Sequence, residues 1–418
     1  MQRWLKFVKY LPSFGVIPFV FAPENPSFDL RDESLLNDVP AEAEVIHFPI
    51  WEPYRLGKKI SGSPVSNTPS STARGGLVKN ALTWLRGNLL FPDPRIFWVR
   101  SSVQFLEEFL RTNNIGTIIT TGPPHSVHLI GLRLKKKNPK LKWIADFRDP
   151  WSEWGMLLSF KLTAMSKRIH QRMEKQVLTS ADSVITITPF YVKQLERLSG
   201  RKVELITNGY DDSDFAELNI QRSGLSPLGG PGGQFVIRHV GVVNPSCDPR
   251  PFMNAVKKLA TEDSVFGRDA KIYFTGQVND DFRKWVESDS VLSSITIFQP
   301  GVPHNELISL YSHSSLLVLI LTGYKDGEGF LPGKLFEYLA TGLPIMAVGP
   351  VPSDANNLLR ELKHGEMIAS DNQEMIKSNL QACFKNWKHG HSFQKHQVAT
   401  EYSRKQLTFK LVELLNTL

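Results

Sequence analysis

The chain has few cysteines and no long apolar segment. Cys247 and Cys383 are the only cysteines among its 418 residues, and their wide separation in sequence indicates neither a disulfide framework nor a zinc site. No apolar run approaches the roughly 18 residues that a membrane-spanning helix needs, and the N-terminus lacks the apolar core of a signal peptide. We therefore expect a cytoplasmic protein in a reducing setting.

Length and charge suit an enzyme of two domains. The chain of 418 residues exceeds one comfortable hydrophobic core and fits two domains of about 200 residues each. Its formal net charge of +8 suits an anionic substrate and also suits contact with an anionic membrane face. Nucleic acid is the rival explanation, but no recognised binding module is present and the basic residues are mostly interleaved with acidic ones. We expect no nucleic-acid partner.

Strands and helices alternate along the chain, which favours parallel sheets with crossover helices. Apolar residues spaced by four predict a long helix through Met165 and Val177. Asn208-Gly209 is a strong turn signal at the end of the first domain. The predicted strands are Thr117–Thr121, Lys142–Phe147, Ser183–Thr188, Phe235–Val240, Lys271–Thr275 and Ser315–Leu321. The pattern predicts two doubly wound domains that face each other across a cleft.

Two segments are predicted to lack regular secondary structure. Ser223–Gly233 is rich in Gly, Pro and Ser and is predicted to be a loop before the second domain. Arg55–Lys79 is rich in Gly, Ser, Lys and Thr, which fits either a solvated surface loop or a lid that binds an acceptor.

The segment 328–344, EGFLPGKLFEYLATGLP, carries the strongest functional signal. A predicted strand and a Gly- and Pro-rich loop open onto a helix that begins near Lys334, and the first NH groups and the dipole of such a helix favour a phosphate. Lys334 adds a positive charge, and Glu337 can accept hydrogen bonds from the hydroxyls of a ribose. The pattern indicates a nucleotide site. The alternative is a core helix that ends at Gly342 and Pro344.

A second cluster, Thr121–His128, follows a predicted strand and starts a predicted helix. His125 and His128 would share one helical face, but no third ligand lies at a helpful spacing, so a metal pair is weakly indicated. A helix N-terminus disfavours a protonated imidazole, so His125 suits a neutral donor to a sugar hydroxyl or departing phosphate. The alternative for His125 is a structural role.

A third cluster, Asp146–Trp151, stands where a predicted strand ends. Asp149 would orient an acceptor hydroxyl, and Arg148 would pair with Asp149 or with phosphate. A structural ion pair that fixes the loop is the alternative.

The first strand of the second domain is followed by Gly241 and Arg250. Glycine permits close approach of a ligand to the backbone, and Arg250 would reach a diphosphate as a forked donor or else lie on the surface. Asp212-Ser213-Asp214 matches a metal motif, but its position after a turn suits a helix cap, so we expect no metal there.

The segment from Lys334 to Pro344 resembles the donor-site signature of glycosyltransferase family 4, whose members are retaining enzymes of the α/β GT-B fold. The sequences Gly-Pro-Pro-His-Ser and Asp-Phe-Arg-Asp-Pro-Trp resemble the acceptor-side half of bacterial members that build surface polysaccharides. The resemblance covers nearly the whole chain. It implies an acceptor-side Rossmann-like domain at 1–207, a nucleotide-sugar domain at 208–395, and a helix at 396–418 that crosses back to the first domain.

The resemblance also implies roles for residues. Catalysis would rest on His125, Asp149, Arg250 and Lys334. Substrate contacts would come from Arg148, Gly241, Glu328, Gly329, Phe330, Pro332, Gly333 and Glu337. The family has a glutamate eight positions before the one that matches Glu337, but Gly329 stands here, so loop backbone or the neighbouring Glu328 would serve instead.

The start of the chain also departs from the family. Family members begin with a strand and a Gly-rich loop before the helix that Arg3–Leu11 is predicted to form, whereas here Met1 precedes it directly. Either translation starts further upstream or the first strand is lacking. In the second case we expect weak activity or poor solubility, because a lost strand exposes unpaired sheet edges.

The resemblance thus implies a hexosyltransferase that acts at the inner face of a bacterial membrane. A nucleotide-diphosphate sugar would be the donor, a saccharide or lipid-linked molecule the acceptor, and neither cofactor nor metal would be needed, because a helix dipole and basic side chains can offset the charge of the leaving diphosphate. Two alternatives stay open: a nucleotide-sugar epimerase of the same fold, and a catalytically silent GT-B protein that binds a nucleotide or a partner.

Overall fold

The computed structural model describes residues 2–24, 32–51, 77–215, 233–245, 247–321, 327–390 and 399–418. Most of Arg55–Lys79, predicted as a loop or lid, lies outside these residues, as does nearly all of the predicted loop Ser223–Gly233.

The strands are numbered in chain order. They are β1 Phe19–Pro23, β2 Glu44–Phe48, β3 Thr117–Gly122, β4 Lys142–Phe147, β5 Ser183–Thr186, β6 Glu204–Leu205, β7 Phe235–Val240, β8 Ala270–Thr275, β9 Thr296–Gln299, β10 Leu316–Ile320, β11 Ile345–Val348 and β12 Met367–Ile368.

The α-helices are numbered in the same way. They are α1 Gln2–Tyr10, α2 Leu77–Leu89, α3 Trp98–Thr112, α4 Ser126–Lys137, α5 Ala164–Ser180, α6 Pro189–Ser199, α7 Arg250–Glu262, α8 Ser264–Asp269, α9 Asp280–Glu287, α10 Ser290–Ile295, α11 His304–Ser312, α12 Gly333–Thr341, α13 Asp354–Glu361, α14 Gln373–Lys388 and α15 Arg404–Asn416.

The chain forms two compact units, each made of three segments. The first unit comprises Leu11–Arg31, Val39–Thr207 and Phe409–Leu418. The second unit comprises Met1–Tyr10, Asp32–Asp38 and Asn208–Thr408. The predicted domain ranges divide the chain at only two positions, so they do not describe this interleaving of segments.

In the first unit, β3, β4, β5 and β6 form a parallel sheet in that order, and β1 pairs with β2 in a separate parallel sheet. β4 is buried almost along its full length, from Trp143 to Phe147, as expected for a parallel strand covered on both faces. The first unit's core lies around this strand and the inner faces of α3, α4 and α5.

In the second unit, six parallel strands run in the order β12-β11-β10-β7-β8-β9. Numbered within this sheet, the order is the 3-2-1-4-5-6 arrangement of a doubly wound dinucleotide-binding fold. Alternate residues of β10 enter two different cores: Leu316 and Val318 pack in one, Leu317 and Leu319 in the other. Because side chains of a strand alternate between faces, both faces of this sheet are covered.

Every predicted strand is present, and only small differences occur at the ends. β5 ends at Thr186, two residues before its predicted end, and the helix predicted near Lys334 begins at Gly333. The long helix through Met165 is present as α5, but Met165 stands in its first turn and is 67% exposed, so it does not share the buried face of Val177. Among the described residues, no helix has the length and apolar character needed to cross a membrane.

Candidate functional site

The second unit's sheet reverses its strand order between β7 and β10. Ligands of doubly wound sheets bind beyond the carboxyl ends of the strands at such a switch point. Two side chains close this end of the sheet: Lys334 Nζ lies 3.3 Å from the carbonyl oxygen of Val240, and Cys247 Sγ donates to the carbonyl oxygen of Ile320 at 2.9 Å. We refer to this region as the switch-point site.

Gly241 follows β7 directly and has a φ of +125°, which favours glycine. A Cβ atom at this position would lie 3.4 Å from Lys334 Nζ. Gly276, after β8, has a φ of +133°, and a Cβ there would meet the carbonyl oxygen of Gly241 at 2.4 Å. The two glycines therefore let the loops after β7 and β8 approach each other beside the lysine.

The predicted phosphate loop leads into α12 through a short 3-10 turn at Gly327–Gly329. Pro332 is the N-cap of α12 and makes no side-chain cap bond, and no acidic residue stands in the first helical turn. The first NH groups of the helix, beginning at Gly333, therefore have no side-chain acceptor among the described residues. This leaves a helix N-terminus suited to an anion.

The remaining loop residues differ in exposure. Glu328 is exposed, Gly329 is buried, and Phe330 is 37% exposed. Glu328 makes no hydrogen bond or ion pair with Lys334 or Glu337 in the part of the chain that the structure describes.

Lys334 is half-buried at the first turn of α12. Burial lowers the pKa of its ammonium, while the nearby Cys247 and Glu337 act in the opposite direction. An ammonium that loses solvation in the free protein gains more from a bound anion than a solvated one does. Lys334 therefore places a partly desolvated positive charge at the N-terminus of α12.

Glu337 lies one turn further along α12, and its side chain is 14% exposed. Tyr311 Oη donates to one carboxylate oxygen at 2.9 Å, and His304 Nε2 lies 3.4 Å from the other. Both partners are on α11. Each carboxylate oxygen keeps a lone pair for a further donor, so the group can still accept from ribose hydroxyls.

Arg250 is the one predicted donor-side residue that is engaged elsewhere. Its guanidinium lies 2.8 Å from Asp248 and stacks over the ring of Trp285 at 5.6 Å. No hydrogen bond or ion pair joins Arg250 to Lys334 or Glu337 within the described ranges.

In the first unit, His128 is completely buried, and its Nδ1 lies 2.9 Å from Thr120 Oγ1. The same hydroxyl accepts from Trp143 Nε1 at 2.9 Å, so Thr120 joins the histidine and the tryptophan in one buried hydrogen-bonded group. Burial lowers the pKa of His128 to about 3. His128 is therefore a neutral, buried residue of the first unit's core.

His125 is the N-cap of α4 and is 6% exposed. Its ring stacks parallel to Trp151 with centroids 5.0 Å apart. Neither ring nitrogen has a partner with ordinary hydrogen-bond geometry, although the carbonyl of Pro150 is close enough to act on the ring. Burial, with a smaller effect from Arg148, holds the pKa well below its usual value, so the imidazole is neutral at pH 7.

Arg148 and Asp149 follow β4. The Arg148 guanidinium donates through Nη2 to the carbonyl oxygen of Pro123, which ties the loops after β3 and β4 together. Both residues are half-buried. Asp146, earlier in the same cluster, accepts from Thr121 Oγ1 at 2.8 Å.

Asp93 was not identified from the sequence, yet it occupies the N-terminus of α4. Its carboxylate accepts from Ser126 N at 2.8 Å and from Ser126 Oγ at 2.9 Å. A carboxylate in this position complements the helix dipole. From sequence, Asp93 can be recognised only as the N-cap of the short turn that begins at Pro94. Its contact with Ser126, 33 positions later, corresponds to no sequence pattern.

Glu174, His304 and Tyr311 were also missed. Glu174, on α5, is buried and accepts from the backbone NH groups of Trp151 and Ser152 at 3.3 and 3.1 Å. Burial raises its pKa to about 7. Single carboxylates and histidines in amphipathic helices have no distinguishing spacing, so sequence gave no means to select them.

A cavity of about 250 Å³ adjoins His125 in the first unit. Its wall combines aromatic, proline and basic side chains, among them Trp151, Trp154, Phe160, Arg86 and Arg95. Within the described part of the chain, no three His, Cys, Asp or Glu residues form a group that could hold a metal.

No protein-family model matches the chain, and no curated protein matches it in sequence. Solved structures do. A glycosyltransferase from Rickettsia africae ESF-5 is 12% identical with a TM-score of 0.65, covering 100% of this chain and 94% of its own. Sucrose-phosphate synthase from Thermosynechococcus elongatus is 13% identical with a TM-score of 0.61 and coverage of 99% and 91%.

HepE from Anabaena, solved in complex with UDP and glucose, is 14% identical with a TM-score of 0.58, covering 100% of this chain and 95% of that one. At these identities the likeness concerns the fold. Together with the parallel sheets, it confirms the predicted α/β GT-B fold class.

Proposed function

We propose that this protein is a retaining glycosyltransferase that transfers a hexose from a nucleotide-diphosphate sugar to a saccharide or lipid-linked acceptor in cell-surface polysaccharide synthesis. The observation that carries the proposal is the switch-point site: Lys334 and the uncapped N-terminus of α12 stand beside Gly241, and Glu337 follows one turn later. Lys334 and the helix N-terminus suit a diphosphate, and Glu337 suits the hydroxyls of a ribose.

The diphosphate would lie against the first turn of α12, close to Gly241. As the sugar–phosphate bond breaks, negative charge develops on the leaving diphosphate. The helix dipole and Lys334 offset that charge without a metal. Glu337 accepts from the ribose and fixes the nucleotide, so the reacting carbon stays in place.

The acceptor would be organised by the first unit's residues His125 and Asp149, with Arg148 as a support of the loop. A neutral His125 suits donation to a sugar hydroxyl. Arg250 would have to exchange its partner Asp248 for the diphosphate to take the role that the family resemblance implies. The net charge of +8 supports action at the inner face of an anionic membrane.

A ligand screen followed by product analysis tests the proposal. Nucleotide-diphosphate sugars are screened by thermal shift, since a ligand of the folded state raises the unfolding temperature, and the best one is then incubated with saccharide and lipid-linked acceptors. Transfer with retained anomeric configuration supports the proposal. Epimerised donor would identify an epimerase, tight binding without product a silent binding protein, and no stabilisation by any nucleotide contradicts a donor site.

Glu337→Ala gives a matched test of the ribose contact. We expect UDP affinity to fall about tenfold or more, because a hydrogen bond to a charged group contributes about 1.5 to 3 kcal/mol. Glu366→Ala, at an exposed position of the same unit, serves as control. Unchanged affinity in Glu337→Ala would refute the ribose role.

A further inference from the structure

The carboxylate of Glu337 is held by α11 on both of its oxygens. Tyr311 is fully buried and donates from Oη at 2.9 Å, and His304, 7% exposed, approaches the other oxygen with Nε2 at 3.4 Å. A flexible glutamate side chain with two partners of this kind is restricted to one orientation. Its remaining lone pairs therefore have a fixed direction.

His304 is itself held by acidic groups from two other segments. Its backbone NH donates to Asp32 Oδ2 at 3.0 Å, and its Nδ1 lies 3.8 Å from Asp214 Oδ2. The imidazole thus stands between two carboxylates, those of Asp214 and Glu337. Only the protonated ring presents an NH to each of them.

Behind Asp214 lies an ion cluster centred on Lys6 of α1. Lys6 is 2% exposed, and its Nζ lies 2.8 Å from Asp38, 2.6 Å from Asp211 and 3.1 Å from Asp214. Lys9, from the next turn, pairs with Asp38 and Asp211. Lys6 therefore joins three segments of the second unit that are distant in sequence, namely α1, Asp32–Asp38 and Asn208–Thr408. One of its partners, Asp214, is the carboxylate beside His304.

We propose that His304, as an imidazolium, is a positioning residue that acts with Tyr311 to orient Glu337 toward the ribose hydroxyls of the donor. The Lys6 cluster, through Asp214, fixes His304 in turn. This inference rests on the proposed function. It assigns to α1, at the far end of the chain from α12, a part in nucleotide recognition.

The charges around His304 set the pH range of this arrangement. Burial opposes protonation, but the hydrogen bond and charge of Glu337 and the charge of Asp214 raise the pKa of His304 above its ordinary value, with Lys6 acting against them. Asp32 accepts from the backbone NH of His304, Tyr311 donates to Glu337, and Arg404 acts on the charges of Glu337 and Asp214. Because the pKa is raised, the imidazolium contact is complete at acid pH and is lost as pH rises through the folded-state pKa.

A comparison of UDP with 2′-deoxy-UDP by calorimetry isolates the ribose contact. Wild type is expected to prefer UDP, with a preference that decreases as pH rises from 6 to 9. His304→Gln should lower the preference about tenfold at pH 6 and remove its pH dependence. His313→Gln, at the exposed C-terminal end of the same helix, should behave as wild type.

A second variant and a second readout distinguish failure of this inference from a folding defect and from failure of the proposed function. Tyr311→Phe removes one hydroxyl and keeps the ring, and it should lower the UDP preference about threefold to tenfold. Histidine NMR gives the second readout. The pKa of His304 should be lower in Glu337→Gln than in wild type, because the charge of Glu337 raises it. The inference is wrong, and the proposed function stands, if UDP binds with a ribose preference that His304→Gln does not change. The same holds if the pKa of His304 does not change in Glu337→Gln. If wild type binds no nucleotide, the proposed function fails and the inference falls with it.

Discussion

Two of the loops that lead from a parallel sheet into a helix differ at the N-terminus of that helix, where one meets a side-chain carboxyl group and the other has no side-chain cap. In the first unit, β3 leads through Pro123 and Pro124 into α4, whose first NH is taken by the carboxylate of Asp93 at 2.8 Å. In the second unit, the loop ending at Pro332 leads into α12, which has no side-chain cap and carries Lys334 in its first turn. In the first arrangement a side-chain carboxyl group accepts from the first NH of the helix, and in the second no N-cap side chain does.

The loops before α4 and α12 show that similar sequence motifs can have different surroundings in the folded protein. Both loops contain Gly and Pro, follow a strand and start a helix, although the sequence predicts a nucleotide site only at 328–344. The deciding residue in the first unit is Asp93, which is brought to α4 by the tertiary fold. An anion-binding function for the N-terminus of α4 is therefore not supported by this structure, whereas that of α12 is.

We expect the largest effect from Lys334→Ala, at the N-terminus of α12. Loss of the ammonium removes a charge-assisted contact of about 1.5 to 3 kcal/mol, so UDP should bind roughly 10- to 100-fold more weakly in calorimetry. Lys388→Ala, at an exposed position of α14, provides the control. Equal affinities in the two variants would mean that the diphosphate does not lie at α12.

We expect a smaller effect from Glu174→Gln in the first unit, where this buried side chain accepts from the backbone of the loop after β4. The pKa of Glu174 is raised to about 7 from 4.5, so its folded form holds a proton that the unfolded form has lost, and wild-type stability falls as pH rises between these values. Gln has no such charge. We expect the variant to gain up to about 2 kcal/mol relative to wild type between pH 5 and pH 8, a part of the full linkage value.

Thermal unfolding at several pH values measures this gain. Glu42→Gln, at an exposed position of the same unit, should follow wild type. A Glu174→Gln stability curve that runs parallel to the wild-type curve would show that the carboxylate titrates normally.

Asp93→Ala should have the smallest effect. Removing a carboxylate at a helix N-terminus costs about 1 kcal/mol, and the opened N-terminus of α4 should then be stabilised by sulfate where wild type is not. Thermal shift with and without sulfate measures both effects. Asp371→Ala, exposed in the second unit, should show neither, and an Asp93→Ala variant that is indifferent to sulfate would mean that the cap alone does not decide anion binding.

Much of the fold follows from local patterns. β4 and β7 have the predicted bounds, because most of their residues are apolar, as is typical of a parallel strand that is buried on both faces. The helix at Lys334 could also be located, since Gly342 ends it with a left-handed φ of 62° as a C-terminal glycine commonly does.

The supports of the site could not be predicted in the same way. His304 and Tyr311 meet Glu337 across 33 and 26 positions of sequence, and Lys6 meets Asp214 across 208. Such contacts depend on how helices pack, and no periodicity records them. The placement of α1 within the second unit is unreadable from sequence for the same reason.

Hydrogen–deuterium exchange with and without UDP follows both loops in one measurement. We expect UDP to protect amides at the start of α12, from Gly333 onward, and after β7 at Gly241, while amides at the start of α4 are unchanged. Protection at Ser126 and the following residues of α4, with none at α12, would show that the nucleotide does not bind at α12.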